Sequence, residues 1–335
     1  MKAVVLVGGF GTRLRPLTLG VPKQMLPVVD RPMIERVVAS LGANGVTDAV
    51  LSLGYKPDAF MKAYPDGTCA GVTLHYAVEP EPLDTAGAVR FAALDAGIDD
   101  RFIVVNGDVL SDVDVAAIWA FHDKQGAEGT ISLTPVDDPS RYGVVPIDAD
   151  GRVEAFIEKP PAGEAPTNWI NAGTYVLEPS VIDRIPEGRK VSIERETFPA
   201  MVAAGTLFAL QSDEYWVDSG TPATYLQVQL DLVNGVRARE VAVSPSAVVA
   251  ADAEIVDSVV MQDVRIGAGA TVEGSAVLPG ARIGARARIV GSIVGPAAVI
   301  GDGAVLDELT VIGDGVSIDA GASLHGARVP ENVTA

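Results

Sequence analysis

The chain is short of the residues from which many recognisable chemical sites are made. It has one cysteine in 335 residues, Cys69, which leaves no intrachain disulfide framework and fits a reducing compartment. No motif surrounds Cys69, so it reads as inert rather than nucleophilic. The three histidines, His75, His122 and His325, form no spaced cluster, which argues against histidine-based metal sites. His75 lies on a predicted strand and His122 on a predicted helix, and both read as structural. Positive charge is scarce as well: 25 Lys and Arg stand against 44 Asp and Glu, a formal net charge of −19. That balance argues against nonspecific binding to nucleic acid or to an anionic membrane. No segment approaches the length of a membrane-spanning helix. The opening apolar run, residues 3–7, is too short for a signal peptide and lacks a cleavage site. The expectation is a soluble, cytoplasmic protein.

Apolar residues make up 48% of the chain, enough for a sizeable core, and the length allows two domains. The run Ala3-Val4-Val5-Leu6-Val7 reads as a buried strand. It leads into Gly8-Gly9-Phe10-Gly11-Thr12-Arg13-Leu14-Arg15-Pro16 and then Pro22-Lys23-Gln24. Three glycines in four residues expose backbone N–H groups that can converge on phosphate oxygens. Arg13, Arg15 and Lys23 add fixed positive charge. A Walker A loop is absent, and Leu14 stands where the dinucleotide fingerprint needs its third glycine.

Up to about residue 135, strand and helix patterns alternate. Ile34, Val37, Val38 and Leu41 form the stripe of an amphipathic helix, with Pro32 in its first turn and Gly42 or Gly45 at its end. Strands are predicted at Ala49–Leu53, Val72–Ala77 and Phe102–Val105, and helices at Thr85–Asp95 and Val115–His122. Such alternation implies a mainly parallel sheet with helices on both faces and ligands beyond the carboxyl ends of the strands. From about 142 to 216 short strands take over; Val144–Ile147 and Val153–Ile157 flank the turn Asp150-Gly151, an inserted sheet covering the crevice. A helix from Pro222 to about Val233 closes this first domain, residues 1–236.

Residues 243–330 differ in kind. Aliphatics recur at Ile266, Val272, Leu278, Ile283, Ile289, Val294, Ile300, Leu306, Ile312, Ile318 and Leu324, at spacings of five or six. This is the hexapeptide pattern of a left-handed parallel β-helix. A hexapeptide acyltransferase commonly uses a histidine base, and only His325 is on offer, so the tail reads as structural or assembly-forming.

Several polar residues fall at strand ends. Asp108, after Asn106-Gly107, is a natural Mg²⁺ ligand or a helix cap. Asp218, in Trp216-Val217-Asp218-Ser219-Gly220-Thr221-Pro222, is a second metal ligand or a turn residue. Glu158-Lys159-Pro160 ends a strand, and a surface pair of this kind is ordinarily solvated. Asn171 offers a donor and an acceptor suited to a hydroxyl-rich ligand. Glu79 and Glu81, in Glu79-Pro80-Glu81-Pro82-Leu83-Asp84-Thr85-Ala86-Gly87, stand beside prolines and read by themselves as solvated loop residues.

Taken together, Gly8-Gly9-Phe10-Gly11-Thr12-Arg13-Leu14 with Pro22-Lys23, the Asp108 turn, the Asp218 segment, Glu158-Lys159 and the hexapeptide tail resemble the sugar-1-phosphate nucleotidyltransferases. The 79–87 loop is similar to that of the mannose-1-phosphate guanylyltransferases, which usually carry glycine where Asp84 stands. The resemblance implies a mixed, mainly parallel Rossmann-like α/β domain before the β-helix. It implies a transfer from a nucleoside triphosphate, GTP for preference, to a sugar 1-phosphate. Arg13, Lys23, Asp108 and Lys159 would be catalytic. Leu6, Gly8, Gly9, Gly11, Thr12, Arg13, Glu79, Pro82, Thr85 and Gly107 would bind nucleotide; Gly143, Glu158, Lys159 and Asn171 would bind the sugar phosphate; Asp108 and Asp218 would hold Mg²⁺. A homo-oligomer is implied too. The alternatives are thymidylyl, uridylyl or adenylyl transfer to glucose 1-phosphate, and a noncatalytic regulatory subunit. Aspartate stands at 84 where the guanylyltransferases usually have glycine; if the site needs a positive φ, aspartate is one of the few tolerable substitutes.

Overall fold

The computed structural model describes residues 1–54, 56–237 and 239–331. They form two compact units that alternate along the chain: residues 1–9 with 34–216, and residues 10–33 with 217 onward.

The first unit is built on a ten-stranded mixed sheet. Its parallel part comprises β1 (Lys2–Leu6), β2 (Asp48–Leu53), β3 (Val72–Val78) and β4 (Phe102–Asn106), in the order β3-β2-β1-β4. Register places Leu6 opposite both Ser52 and Asn106. These strands are near-continuous Val, Ile and Leu because both faces of a parallel sheet are covered; Ala3, Val4, Val5 and Ile103 are wholly buried. Beyond β4 the sheet continues through β5 (Gly129–Pro135), β6 (Trp169–Leu177) and β7 (Leu207–Gln211), with β6 antiparallel to both β4 and β5. The helices α1 (Met33–Ala43), α2 (Asp84–Asp95) and α3 (Val115–Gln125) lie near their expected places. Asp114 caps α3 by accepting from the Ala117 N–H, and Gly126 ends it in a left-handed conformation.

Two local expectations are corrected. The strands around Asp150-Gly151 do not form a separate sheet: Gly143–Val144 and Ile157–Glu158 extend the edge of the main one, while Ile147 and Val153 meet only as a bridge. Pro32 is not in the first turn of α1, which begins at Met33. It pairs with Pro27 in a two-strand hairpin, the ladder position opposite a second proline costing no donor.

In the second unit, α4 (Pro222–Asn234) starts at a Thr221–Thr224 capping box and stops at Gly235. Its Tyr225 hydroxyl and Gln229 amide donate to the Pro27 carbonyl, and Gln229 accepts from the Val29 N–H at 2.7 Å. The rest is a coil of three five-stranded parallel sheets, the left-handed β-helix expected from the spacing. One face stacks Ile255, Val272, Ile289, Leu306 and Leu324 in register. On another, Val277 rather than Leu278 aligns with Val294 and Ile312. Small residues at the corners also link the rungs, since buried Ser258, Ser275 and Ser292 pass hydrogen bonds from coil to coil every 17 residues.

Candidate active site

In the first unit, polar groups gather where the parallel strands end. β1 delivers the chain to Gly8 and Gly9, around which a built Cβ would meet nothing within 4 Å, and Gly9 has φ +95°. The Gly107 N–H donates to the Leu6 carbonyl at 2.9 Å. A Cβ on Gly107 would come within 2.7 Å of Val7 Cγ1, so only glycine lets the turn carrying Asp108 lie this close to β1. Asp108 itself is half-buried.

Glu79 follows β3 and is 9% exposed, which rules out the solvated reading for it; Glu81 and Pro82 are exposed. One Glu79 oxygen accepts from Ser52 Oγ at 3.0 Å and the other from the Leu83 N–H at 3.0 Å. A carboxylate has about four acceptor sites, so each oxygen keeps capacity for another donor. Asp84 has φ +62° and accepts from the Thr85 N–H at 2.8 Å, so the site does adopt a positive φ, which aspartate tolerates in place of glycine. The Thr85 hydroxyl faces elsewhere: it donates to Glu194 at 2.7 Å and accepts from the Ile193 N–H at 2.8 Å.

Further along the sheet edge, Gly143 pairs with Glu158. A Cβ on Gly143 would stand 2.7 Å from the Phe156 ring. Glu158 holds Lys159 Nζ at 2.9 Å, with the glutamate side chain 21% exposed. Lys159 has φ +51°, a strained conformation for a non-glycine residue of the sort that collects at functional sites. Asn171 Nδ2 donates to the Tyr175 hydroxyl and its Oδ1 accepts from the Gly173 N–H, each at 2.9 Å, bracing the bulge in β6. One amide hydrogen and one lone pair of Asn171 are left over. Trp216 Nε1 donates to the Ala172 carbonyl, and Tyr142 stands edge-on to the Trp216 ring.

In the second unit the glycine-rich segment continues. Gly11 has φ +59°, and a Cβ there would lie 3.1 Å from Thr18 Cγ2 and 3.3 Å from Lys23 Cβ. Buried Thr18 donates to the Gly11 carbonyl at 2.8 Å. Short turns carry Thr12–Leu14 and Lys23–Met25. The Arg13 guanidinium is 4.0 Å from Asp218 Oδ2. Asp218 Oδ1 accepts from the Gly220 N–H at 2.9 Å, and a Cβ on Gly220 would be 2.6 Å from Arg13 Nη2. Any other residue at 220 would displace Arg13. Gln24, 1% exposed, has an amide nitrogen and oxygen without a hydrogen-bond partner among the described residues. Both polar atoms of that amide are sealed from solvent, which makes it one of the few buried polar groups left unsatisfied among the described residues.

Sequence reasoning missed Ser52 and Gln24. Ser52 is the one polar residue near the C-terminal end of β2, within the apolar run Ala49–Leu53, a readable signal; the burial of Gln24 left none. Cys69 is buried, and burial pushes its thiol up to about 11, in keeping with an inert role. Among the described residues, no helix is long and apolar enough to cross a membrane, and no three or more His, Cys, Asp or Glu group as a ready-made metal cage.

Residues 2–235 match the family described as Nucleotidyl transferase, and residues 237–334 match that described as GMPPB C-terminal domain. Mannose-1-phosphate guanylyltransferase from Mycobacterium tuberculosis is 44% identical over 238 residues, 70% of this chain and 66% of that protein. Mannose-1-phosphate guanyltransferase from Aspergillus fumigatus is 47% identical over 232 residues, 68% of this chain and 62% of that protein. The matched stretch therefore spans slightly less than two thirds of either relative. Among solved structures, HddC from Yersinia pseudotuberculosis complexed with GMP-PN superposes with a TM-score of 0.59 at 32% identity, over 68% of this chain and 97% of that one.

Proposed function

The chain belongs to the nucleotidyl transferase family, and from that premise we propose that it transfers guanylate from GTP to mannose 1-phosphate, forming GDP-mannose and releasing pyrophosphate. The observation that carries the choice of base is the buried Glu79 carboxylate, with one protein donor on each oxygen. Guanine presents two adjacent N–H donors along its Watson–Crick edge, and two half-occupied carboxylate oxygens complement them. The names of the two curated relatives support the same sugar and base.

In this reading an oxygen of the sugar phosphate attacks the α-phosphorus of GTP in line, and the bond from that phosphorus to the departing pyrophosphate breaks. Little covalent work falls to the protein, so positioning and charge neutralisation dominate. Leu6, Gly8, Gly9, Gly11 and Thr12 line the triphosphate path with backbone groups, Arg13 holds the departing pyrophosphate, and Lys23 serves the α-phosphate. Gly107, Pro82 and Thr85 border the nucleotide; the Thr85 hydroxyl donates to Glu194 and accepts from the Ile193 N–H, which leaves it one lone pair. Lys159 aligns the nucleophilic phosphate, while Glu158, Asn171 and the Gly143 backbone take the sugar hydroxyls. Asp108 and Asp218 supply hard carboxylate oxygens of the kind Mg²⁺ combines with phosphate oxygens and water. Mg²⁺ held by them would offset the charge that develops on pyrophosphate.

A panel of GTP, ATP, UTP and dTTP against mannose and glucose 1-phosphates, read as pyrophosphate release, tests the proposal. The greatest efficiency is expected for GTP with mannose 1-phosphate. Preference for another triphosphate would overturn the base assignment, and no turnover with any pair would overturn the transferase reading.

A further inference from the structure

The last strand of the coil, Arg328–Val329, pairs with Val311–Ile312, but its arginine reaches away from that ladder. Nη1 of Arg328 donates to the Arg13 carbonyl at 2.8 Å and to the Arg15 carbonyl at 3.0 Å. One nitrogen thus ties down two carbonyls on either side of Leu14, at the turn Thr12–Leu14. Pro16, the next residue, is seated at the same end of the coil: a Cβ on Gly313 would stand 3.2 Å from both Pro16 Cβ and Pro330 Cδ. Gly11, Thr18 and Lys23 brace the segment on its other flank. The Arg13 side chain, 62% exposed and 4.0 Å from Asp218, has little packing of its own, so its direction depends on the backbone that carries it.

We propose that Arg328 is a positioning residue for the transfer reaction, acting through the Arg13–Arg15 backbone to hold the Arg13 guanidinium and the neighbouring amides against the departing pyrophosphate. The inference rests on the function proposed above for that loop. Arg328 itself contacts no substrate; its partners are carbonyl oxygens. A guanidinium suits this role because its donors are rigidly forked and it stays charged at every working pH. The coil, expected from its sequence to be structural or assembly-forming, thereby contributes to the chemistry.

The test uses the full-length chain, with Arg328→Met keeping most of the side-chain bulk and removing every donor. Arg282→Met, on an exposed rung of the coil, is the control and should match wild type. With GTP and mannose 1-phosphate, Arg328→Met should lower kcat about 10- to 100-fold, the scale of a modest misplacement of catalytic groups. It should raise the KM for GTP while leaving the KM for mannose 1-phosphate within about twofold, and calorimetry should show weaker binding of inorganic pyrophosphate. A merely structural role would lower the melting temperature and active fraction with both KM values unmoved. Wild-type kinetics and pyrophosphate affinity in the folded Met variant, or equal losses for both substrates, would overturn the proposal. If that variant does not fold, Arg328→Gln carries the same comparison and the same refuting outcomes. Failure of the wild-type enzyme to turn over would sink the functional reading instead; the pyrophosphate affinities of wild type and variant would still decide the role of Arg328.

Discussion

Replacing Glu79 by glutamine tests the base-reading geometry most directly, because the surroundings show how the variant would settle. In the native site one carboxylate oxygen accepts from the Leu83 N–H and the other from Ser52 Oγ. An amide can still accept from Leu83 through Oε1. Its Nε2 would then face Ser52, whose hydroxyl lies 3.3 Å from the Ala88 carbonyl and can turn its proton there. The protein side therefore adjusts, and folding stability should change by no more than about 1 kcal/mol, roughly one neutral hydrogen bond. The ligand side cannot adjust, because one of the two acceptors offered to guanine has become a donor. Losing a hydrogen bond to a charged group costs about 1.5–3 kcal/mol, and leaving a donor opposed and unpaired costs about 1–3 kcal/mol more. At about 1.4 kcal/mol per decade, kcat/KM for GTP should fall by about 10²–10⁴. Pyrophosphate release measured with GTP and inosine triphosphate separates the two contacts, since inosine lacks the exocyclic amine. A folded Glu79→Gln enzyme whose GTP efficiency stays within a few-fold of wild type would refute this account of base recognition.

Asp108→Asn and Asp218→Asn should each cut turnover by about 10²–10³, the usual consequence of losing one preorganised electrostatic contact, and circular dichroism should show the fold intact; near-normal turnover by either removes that residue from the proposed Mg²⁺ ligands. Lys23→Ala should lower kcat more than it weakens GTP binding, whereas Lys159→Ala should chiefly raise the KM for mannose 1-phosphate, a division that steady-state kinetics resolves. His122 is fully buried between Thr130 and Glu178, and burial holds its imidazole below the usual 6.5 despite the opposing pull of Glu178. The unfolded chain therefore binds the proton more readily, so this contribution is intact above about 6.5 and stability falls as pH drops through that value; denaturant melts should show the slope, and His122→Gln should flatten it. Ile289→Ala, at a wholly buried rung, should destabilise the coil by about 2–5 kcal/mol in chemical denaturation.

What the sequence disclosed was mostly local. The apolar run Ala3–Val7, the glycines after it and the five- and six-residue aliphatic spacing each express their structure within a few residues, so strand, loop and coil were readable. That aspartate tolerates a positive φ at 84 was readable for the same reason, since it is a property of the side chain; that the backbone adopts φ +62° there is a finding of the structure. Leu278 and Val277 are adjacent aliphatics, and only pairing with the next coil selects Val277. The partnership of Ser52 with Glu79 depends on the register of β2 with β3 across 27 residues. The pairing of the Thr85 hydroxyl with Glu194 spans 109 positions and was not readable locally. The short strands around Asp150-Gly151 were seen, but their joining the edge of the main sheet is a tertiary fact that no hairpin pattern contains.

The segment bearing Arg13 and Lys23 is made early, yet its distant hydrogen-bond partners arrive late in synthesis. Gln229 meets Pro27 across 202 positions, and Arg328 meets Arg13 across 315. At about 5–20 residues per second on the ribosome, the first of these contacts is delayed by about 10–40 seconds after Pro27 is joined. The parallel strands β1 to β4 need nothing beyond Asn106 to pair among themselves. A nascent chain that stalls before α4 thus has a sheet able to form and an arginine–lysine segment deprived of its anchors, so prematurely ended translation products would bind triphosphate poorly.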